Sequence, residues 1–505
     1  MLPRHFKRQI NCQIVRKNYF NEIRKDPIPA NDFEGAYFRE MKPDLLIANG
    51  ILVDHNGMVQ ADLVVHGEKI MGIFSPGINP QAEEVIDAKG MLVLPGVIDS
   101  HVHFNEPGRE TWEGFETGSK SAAAGGITTF IDMPLNSSPC TLNASELRRK
   151  VEKGGKHSVV DFGLWGGATP ENIDHLEELA QGGVLGFKAF MSNSGIDEFQ
   201  HIHDGDLVEI LHGLGKMNQV LGLHAENEAL TSHLSKRLKS AGRTDRKAYL
   251  ESRPPLAEEE AVHRALFLAQ QSAPETCLHF LHTTLSSNME AIDQARKRGL
   301  KVTVETCPHY LTLAGKDFLD LGPVAKCAPP IRTEQEVEAL WKSVENGLVD
   351  VIGSDHSPCT LDLKEKGNEN IWEAWGGISG LQTMLPLLFS EGIAKRKLSP
   401  SRMVRMLSFN PARLFGLYPR KGVLQPGSDA DLVLLDPEKK WTVKKEDLFY
   451  KNRHSPFIGK TIIGAVELTI LRGKVVYRKG EIIASPGAGR FLPRRPSEEA
   501  ARARS

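Results

Sequence analysis

Eight short apolar segments recur through the middle of the chain, each followed by a stretch with helical patterning. In chain order, between residues 91 and 358, they are MLVLPGVIDSHVH, GITTFIDMP, SVVDFGLWG, GVLGFKAFM, QVLGLHAEN, CLHFLHTT, KVTVETCPHY and VDVIGSDHSP. The intervening stretches carry helix-start signals, such as Pro255 with three glutamates soon after it. Alternating strands and helices are typical of parallel sheets, and eight such units predict a closed (β/α)8 barrel of the TIM type.

Both ends of the chain have a different pattern. Residues 44–74 alternate short β-branched runs with Asn-Gly and His-Gly turns, which predicts a strand meander. The same pattern returns in DADLVLLDP and in AVELTILRGKVVYRKGEII. We therefore predict an α/β protein in which residues 94–420 form the barrel. Residues 44–93 and 421–484 would pair into a smaller β-sandwich domain made by both chain ends.

The outermost segments are predicted to lie outside these domains. Residues 1–43 begin with a basic, acid-poor stretch, which is compatible with a disordered extension or with an organelle transit peptide. The serine enrichment of a transit peptide is missing, which favours the disordered extension. Residues 485–505 are polar and charged with little to bury, so we predict a disordered tail.

Bulk composition limits the partners of the chain. At 505 residues it exceeds the size of a single core, and its net charge of -2 gives no field that would attract nucleic acid or an anionic membrane. Six cysteines without a C-x-x-C pair fit a reducing compartment. No apolar run reaches the roughly 20 residues of a membrane span. We expect a cytoplasmic protein with a small-molecule partner, unless the basic extension directs it to an organelle.

Polar side chains typical of metal sites stand at or near the predicted strand ends. They are His101, His103, Asp132, Lys188, His224, His282, His309 and Asp355. Active sites of such barrels lie at these carboxyl-terminal ends. An isolated His-x-His pair is weak evidence, because His201 and His203 share the spacing without a preceding strand. Imidazoles converging with a carboxylate predict a Zn, Mn, Co or Fe site with a hydrolytic role.

Lys188 is the unusual member of this set. It lies between Phe187 and Phe190 near the end of a strand, where an ammonium is costly to bury unless it is paired or neutralised. It could pair with a nearby carboxylate or extend to solvent. It could instead be a neutral amine that has reacted with carbon dioxide to give a metal-bridging carbamate. The residues alone leave these alternatives open.

The order His-x-His, Lys, His, His, Asp on strands one, four, five, six and eight resembles the amidohydrolase superfamily, over about residues 44–483. The resemblance implies two divalent metal ions per subunit, zinc being favoured, bridged by carboxylated Lys188 and a hydroxide. His101 and His103 would bind one ion, and His224 and His282 the other. Asp355 would complete the first site and act as general base. The resemblance also implies a homotetramer.

Longer blocks narrow the resemblance to the cyclic-amide branch. Dihydroorotases read H-V-H-L-R-E-P-G, with an arginine for a substrate carboxylate, where this chain has Asn105. The blocks HFNEPGRETWEGFETGSKSAAAGGITTFIDMPLNSSP, GFKAFM, ETCPHYL, KCAPPIR, GSDHSPC and WGGISGLQ resemble allantoinases. This implies hydrolysis of the hydantoin ring of allantoin to allantoate, with Asn105, Ser357 and His309 as candidate substrate contacts.

Two alternatives remain at this point. A hydantoinase or dihydropyrimidinase would use the same ligands on a related neutral ring. A non-enzymatic scaffold would resemble the collapsin response mediators, which keep the barrel after losing metal ligands. All six ligand positions are present here, and such polar groups gathered at one rim are destabilising without a role, which favours an enzyme.

Overall fold

The computed structural model describes residues 42–77 and 81–494. The predictions for residues 1–41 and 495–505 lie outside the described residues. The strands are β1 (Leu45–Asp54), β2 (Gly57–His66), β3 (Lys69–Phe74), β4 (Glu84–Asp87), β5 (Leu92–Pro95), β6 (Val97–Val102), β7 (Ile127–Asp132), β8 (Asp161–Gly167), β9 (Gly186–Phe190), β10 (Val220–His224), β11 (Cys277–Phe280), β12 (Val302–Thr306), β13 (Val351–Ile352), β14 (Leu432–Thr442), β15 (Thr461–Leu471), β16 (Lys474–Arg478) and β17 (Glu481–Ile482).

The α-helices are α1 (Phe115–Ala124), α2 (Ala144–His157), α3 (Leu176–Gln181), α4 (Asp204–Lys216), α5 (Glu228–Ser240), α6 (Arg246–Ser252), α7 (Pro255–Ser272), α8 (Ser286–Lys297), α9 (Pro308–Thr312), α10 (Gly315–Leu321), α11 (Glu334–Asn346), α12 (Leu361–Glu365), α13 (Met384–Leu388), α14 (Pro400–Val404) and α15 (Asn410–Leu414). In the described residues, 42–77 and 81–494, no helix is both long enough and apolar enough to cross a membrane.

The eight strands β6 to β13 form one parallel sheet in chain order, which confirms the predicted barrel. The ends of this sheet meet where the backbone N–H of His103 donates to the carbonyl of His356 at 2.8 Å. Val102 and His356 form the accompanying bridge. Helices cover the outside, and α7 begins with Pro255 at its first turn as its sequence predicts.

The second sheet contains strands from both chain ends, as predicted. Its nine strands follow the order β17-β16-β15-β14-β5-β1-β2-β3, with β4 beside β1, so one continuous sheet carries the smaller domain. The segment MLVLPGVIDSHVH is divided between the two sheets, because β5 pairs with β14 and β6 enters the barrel. Gly96 lies at this division, where an added Cβ would lie 2.0 Å from the Thr128 hydroxyl oxygen. A larger residue at this position would collide with the Thr128 side chain on β7.

The structure differs from the predicted disordered tail over residues 485–494. Phe491 bridges to Phe162, and the N–H of Leu492 donates to the Phe162 carbonyl at 2.7 Å. The pairing of β8 with β9 starts only at Trp165, so the first residues of β8 leave an edge that this segment occupies. The tail is polar and charged on average, but Phe491 and Leu492 are apolar and can pack against the barrel. Leu492 is buried.

A buried ion cluster joins the barrel to the smaller domain. The Lys421 ammonium lies 2.7 Å from Asp161 on β8, 2.6 Å from Asp431 and 3.0 Å from Asp429. Arg472, at the end of β15, pairs with Asp161 from the other side. Lys421 is nearly fully buried, so the cation and its carboxylates depend on one another for solvation.

We expect Lys421→Met to lower the free energy of unfolding by about 3–5 kcal/mol, because it leaves buried carboxylates without their cation. The control is Lys395→Met, which breaks an exposed i,i+4 pair with Glu391 and should cost less than about 1 kcal/mol. Urea unfolding of both variants measures the difference. Equal stability of the two variants would show that the cluster does not hold the domains together.

Candidate metal centre

One cavity of about 380 Å³ opens at the carboxyl-terminal ends of the barrel strands. All six positions predicted as metal ligands line it, namely His101, His103, Lys188, His224, His282 and Asp355. They come from the ends of five barrel strands, β6, β9, β10, β11 and β13, but lie in one buried space. The same cavity is lined by Ser357, Arg253, Lys326, Trp372 and Trp375.

The first group of donors is His101, His103 and Asp355. Both imidazoles turn Nε2 toward the same carboxylate oxygen, Asp355 Oδ1, at 3.3 Å and 3.4 Å. Burial alone would raise the pKa of Asp355, but the two histidines lower it to about 2. Two ring nitrogens and an ionised carboxylate therefore converge on one point, and their donor atoms suit a divalent cation.

Glu305 orients the first of these imidazoles. On β12, its Oε1 lies 2.8 Å from His101 Nδ1, and its Oε2 accepts from the Ser100 hydroxyl at 2.5 Å. The carboxylate is fully buried, and His101 helps to keep its pKa below the usual range despite the burial. A proton held on Nδ1 leaves the Nε2 lone pair free for a metal. The sequence analysis missed Glu305, although its place at the end of an apolar strand was a visible signal.

The second group of donors is His224 and His282. His224 Nδ1 lies 3.1 Å from His282 Nε2, while His224 Nε2 lies 2.8 Å from Glu226. Glu226 is in turn paired with Arg253, which helps to lower the pKa of that carboxylate to about 2 against the effect of burial. The carboxylate thus favours the tautomer in which His224 presents Nδ1, the opposite nitrogen from that of His101.

Two of the candidate ligands have an unusual backbone. His282 has φ of 38° and Asp355 has φ of 43°, both in the left-handed region that non-glycine residues rarely adopt. Each follows the last residues of its strand, so the turn bends the side chain back over the barrel mouth. Such strain is maintained only by the surrounding packing, and its occurrence at two candidate ligands marks this rim as a functional site.

Lys188 lies fully buried on β9. Among the described residues its Nζ has no hydrogen-bond partner, and it stands 4.5 Å from the centre of the Phe190 ring. Burial lowers the pKa of this amine from 10.5 to about 8, while Asp355 and Glu305 act in the opposite direction. This amine lines the same cavity as the four candidate histidines, and a bound metal centre would supply the partner that it lacks among the described residues.

The remaining predicted residues are distributed differently. Ser357 lines the cavity, whereas Asn105 and His309 are buried and do not. The Asn105 amide donates to the Pro358 carbonyl at 3.3 Å. Asp132 is occupied by the Lys150 ammonium at 2.6 Å, which excludes it from the site. His201 and His203 precede helix α4 and do not line the cavity; His203 is exposed and His201 is partly buried.

Two lysines that the sequence analysis did not select hold one wall of the cavity. Lys326 donates to the carbonyls of Ile371 at 2.8 Å and Ala374 at 2.5 Å. Lys364 donates to the carbonyls of Trp375 at 2.9 Å and Gly377 at 2.5 Å. The wall segment, residues 371–377, is therefore held by four hydrogen bonds from two buried lysines, which keep its tryptophans in the lining of the cavity.

Residues 92–476 match the amidohydrolase family. The chain belongs to this family. The predicted resemblance, the barrel fold and the enzyme class, a hydrolase, are thereby confirmed. The family and the donor set together indicate a divalent metal centre at this cavity.

Curated relatives and solved structures narrow the similarity. The chain is 43% identical to an allantoinase of Rubrobacter xylanophilus over 90% of its own length and 98% of the relative, and 41% identical to an allantoinase of Deinococcus radiodurans over 90% and 100%. Its structure is similar to that of an L-hydantoinase (dihydropyrimidinase) from Arthrobacter aurescens, with a TM-score of 0.87, 38% identity, and coverage of 90% of this chain and 100% of the other. It is also similar to the structure of a dihydropyrimidinase from Brevibacillus agri, with a TM-score of 0.83, 33% identity, and coverage of 89% of this chain and 98% of the other.

The unpaired amine yields a stability prediction. In metal-free protein prepared with a chelator, we expect Lys188→Met to raise the free energy of unfolding by about 2–3 kcal/mol near neutral pH. The folded state binds this proton less tightly than the unfolded state, so the wild-type protein regains stability as the pH rises from about 8 to 10.5. The advantage of the variant should shrink across that range.

Denaturant unfolding at a series of pH values measures this difference. Lys397→Met is the control, since this exposed lysine donates to a single carbonyl, that of Ala394. A variant that is less stable than the wild type at every pH would show that the amine has a stabilising partner in the metal-free protein.

Proposed function

We propose that this protein hydrolyses the hydantoin ring of allantoin and releases allantoate. The observation that carries the proposal is the meeting of His101, His103 and Asp355 at one point of a cavity that the other three candidate ligands also line. The curated allantoinases that the chain resembles over nine-tenths of its length support this substrate.

The metal centre in this proposal consists of two divalent ions, zinc in the first instance. His101, His103 and Asp355 would hold one ion, and His224 and His282 the other. A carboxylated Lys188 would reach both, which is supported by the burial of its amine without a hydrogen-bond partner among the described residues and by its electrostatic interaction with Asp355, His224 and His282. When bound, such ions acidify water and polarise a carbonyl oxygen.

Asp355 is the proposed general base. Its carboxylate lines the cavity and, with a pKa of about 2, is ionised at neutral pH. It accepts a proton from the attacking water as the new C–O bond forms at the ring carbonyl. It then returns that proton to the ring nitrogen as the C–N bond breaks, so the ring opens without a free charge on the leaving nitrogen.

The wall segment is the proposed contact for the rest of the substrate. In this proposal the reacting ring lies at the strand ends, and Trp372 and Trp375 of residues 371–377, which line the same cavity, would contact its ureido arm. Ser357 remains a proposed substrate contact, because it lines the cavity. Asn105 and His309 do not line the cavity, so the proposal does not include them as direct substrate contacts.

Hydantoin and dihydropyrimidine rings are the second candidate substrates. They are supported by the similarity to solved hydantoinases and dihydropyrimidinases, with TM-scores of 0.87 and 0.83. An inactive scaffold protein is not supported, because all six candidate ligands are present and line one cavity, and a scaffold would not need them. The homotetramer and the organelle targeting by residues 1–43 stay predictions.

The experiment is a turnover assay with allantoin, hydantoin, dihydrouracil and dihydroorotate on protein whose metal has been counted by elemental analysis. We expect about two metal ions per chain and a marked preference for allantoin, with little turnover of the carboxylated dihydroorotate. Preference for hydantoin or dihydrouracil would replace the substrate but keep the centre. A metal-free chain that stays inactive after zinc and bicarbonate are supplied would overturn the proposal.

Asp355→Asn tests the proposed base. We expect kcat for allantoin to fall by about 10²–10⁴-fold, because a neutral amide cannot accept the proton. Asp174→Asn, at an exposed residue outside the cavity, is the matched control and should leave kcat within about twofold of the wild type. A variant that retains its metal and more than a tenth of the wild-type kcat would assign proton transfer to another group.

A further inference from the structure

The turn at the end of β12 carries two donor groups that the proposed mechanism does not use. Cys307 follows the last residue of the strand, and His309 lies in the short helix α9. The thiol sulfur, a ring nitrogen of His309 and a carboxylate oxygen of Asp355 all lie within 4.8 Å of one another. Cys307 and His309 are at most 1% exposed, so the three donors form a buried cluster behind the cavity.

The surroundings of this cluster favour a cation. His309 Nε2 has no hydrogen-bond partner among the described residues, although it is fully buried. The Cys307 sulfur and an Asp355 carboxylate oxygen lie within 4.8 Å of a ring nitrogen of His309. A buried imidazole nitrogen without a partner, beside a thiol and a carboxylate, is a donor set that a cation can complete.

A second cluster of acids provides the contrast. Asp161, Asp429 and Asp431 are equally close to one another, but the Lys421 ammonium lies within 3.0 Å of all three and already supplies their cation. No ammonium or guanidinium forms such an ion pair with Asp355 within residues 42–77 and 81–494. The acid cluster therefore already has its cation, whereas the His309 Nε2 atom of the other cluster stays open even when an ion of the main centre is bound to Asp355.

We propose that Cys307, His309 and Asp355 form a further cation site that takes a soft divalent ion such as Cd²⁺. Thiolate and imidazole donors select soft and borderline ions over Mg²⁺ or Ca²⁺. Binding replaces the thiol proton, which passes to solvent, and forms bonds from sulfur, nitrogen and oxygen to the ion without any oxidation or reduction. The ion enters through the cavity, because Asp355 lines both spaces.

Occupation of this site would inhibit the enzyme. This consequence rests on the proposed function, in which Asp355 accepts the proton of the attacking water. A carboxylate that is bound to a soft ion on its far side is a weaker base and is drawn away from His101 and His103. The inhibition would therefore lower kcat without removing the ions of the main centre.

The test titrates Cd²⁺ into zinc-loaded protein from which free metal has been removed. The readouts are the ultraviolet charge-transfer band of a cadmium–thiolate bond, the cadmium and zinc content, and allantoin turnover. Cys307→Ser removes the sulfur, and Cys359→Ser is the matched control, because it removes a buried thiol that lies outside the cluster. His309→Gln is a second variant that keeps the thiol and removes the nitrogen.

We expect the band and the inhibition to persist in Cys359→Ser and to weaken at least about tenfold in both cluster variants, with zinc retained throughout. Thermal unfolding checks that each variant is folded. The proposal is overturned if Cys307→Ser keeps the band and the inhibition, or if cadmium enters only as zinc leaves. Loss of the band in Cys307→Ser without any allantoin turnover by the wild type would keep the site and refute the proposed function.

Discussion

The hydrogen bond that closes the barrel is the interaction on which the candidate site depends. The N–H of His103 donates to the carbonyl of His356, joining the first and last strands of an eight-stranded parallel sheet. This contact brings Asp355 against His101 and His103 across about half of the chain. The buried contacts among these three side chains exist only when the sheet is closed, so folding of the barrel and assembly of the centre are one event.

Charge balance explains how so many polar groups remain buried at one rim. Glu305 and Glu226 each hold a proton on one imidazole and direct the other ring nitrogen into the cavity. They select opposite nitrogens of His101 and His224, so the two halves of the centre are fixed independently. Within the part of the chain that the structure describes, the Lys188 amine has no hydrogen-bond partner, so we expect it to destabilise the metal-free protein.

Buried cations paired with oxygen atoms also hold the two domains together and fix one wall of the cavity. Lys421 joins carboxylates of the barrel and of the nine-stranded sheet, and its burial makes separation of the domains costly. Lys326 and Lys364 fix the wall segment through backbone carbonyls, which places the tryptophans of that segment over the centre without using acidic side chains there. Buried lysines thus set the position of the parts that surround the active cavity.

Local sequence patterns were sufficient to predict the eight barrel strands, the β-rich chain ends and a set of polar residues at the strand ends, and the resemblance to a known family reduced that set to the six candidate ligands. Strand periodicity and the polar residues at strand ends are properties of short segments, and the barrel geometry turns every strand end toward the same mouth. The sequence did not reveal which partner orients each imidazole, since Glu305 lies about 200 residues from His101. It also did not reveal that Asn105 and His309 are buried without lining the cavity, or that residues 490–492 extend the edge of β8.

Those features depend on contacts between segments that are distant in the chain. The residue types, their order and the family were therefore determined by the sequence itself. The tautomers of the histidines, the isolation of the Lys188 amine, the fixed wall and the cluster of Cys307 and His309 beside Asp355 were decided only by tertiary structure. The physical reason is that hydrogen bonding and desolvation of a buried polar group depend on its neighbours in space, which strand and helix periodicity do not specify.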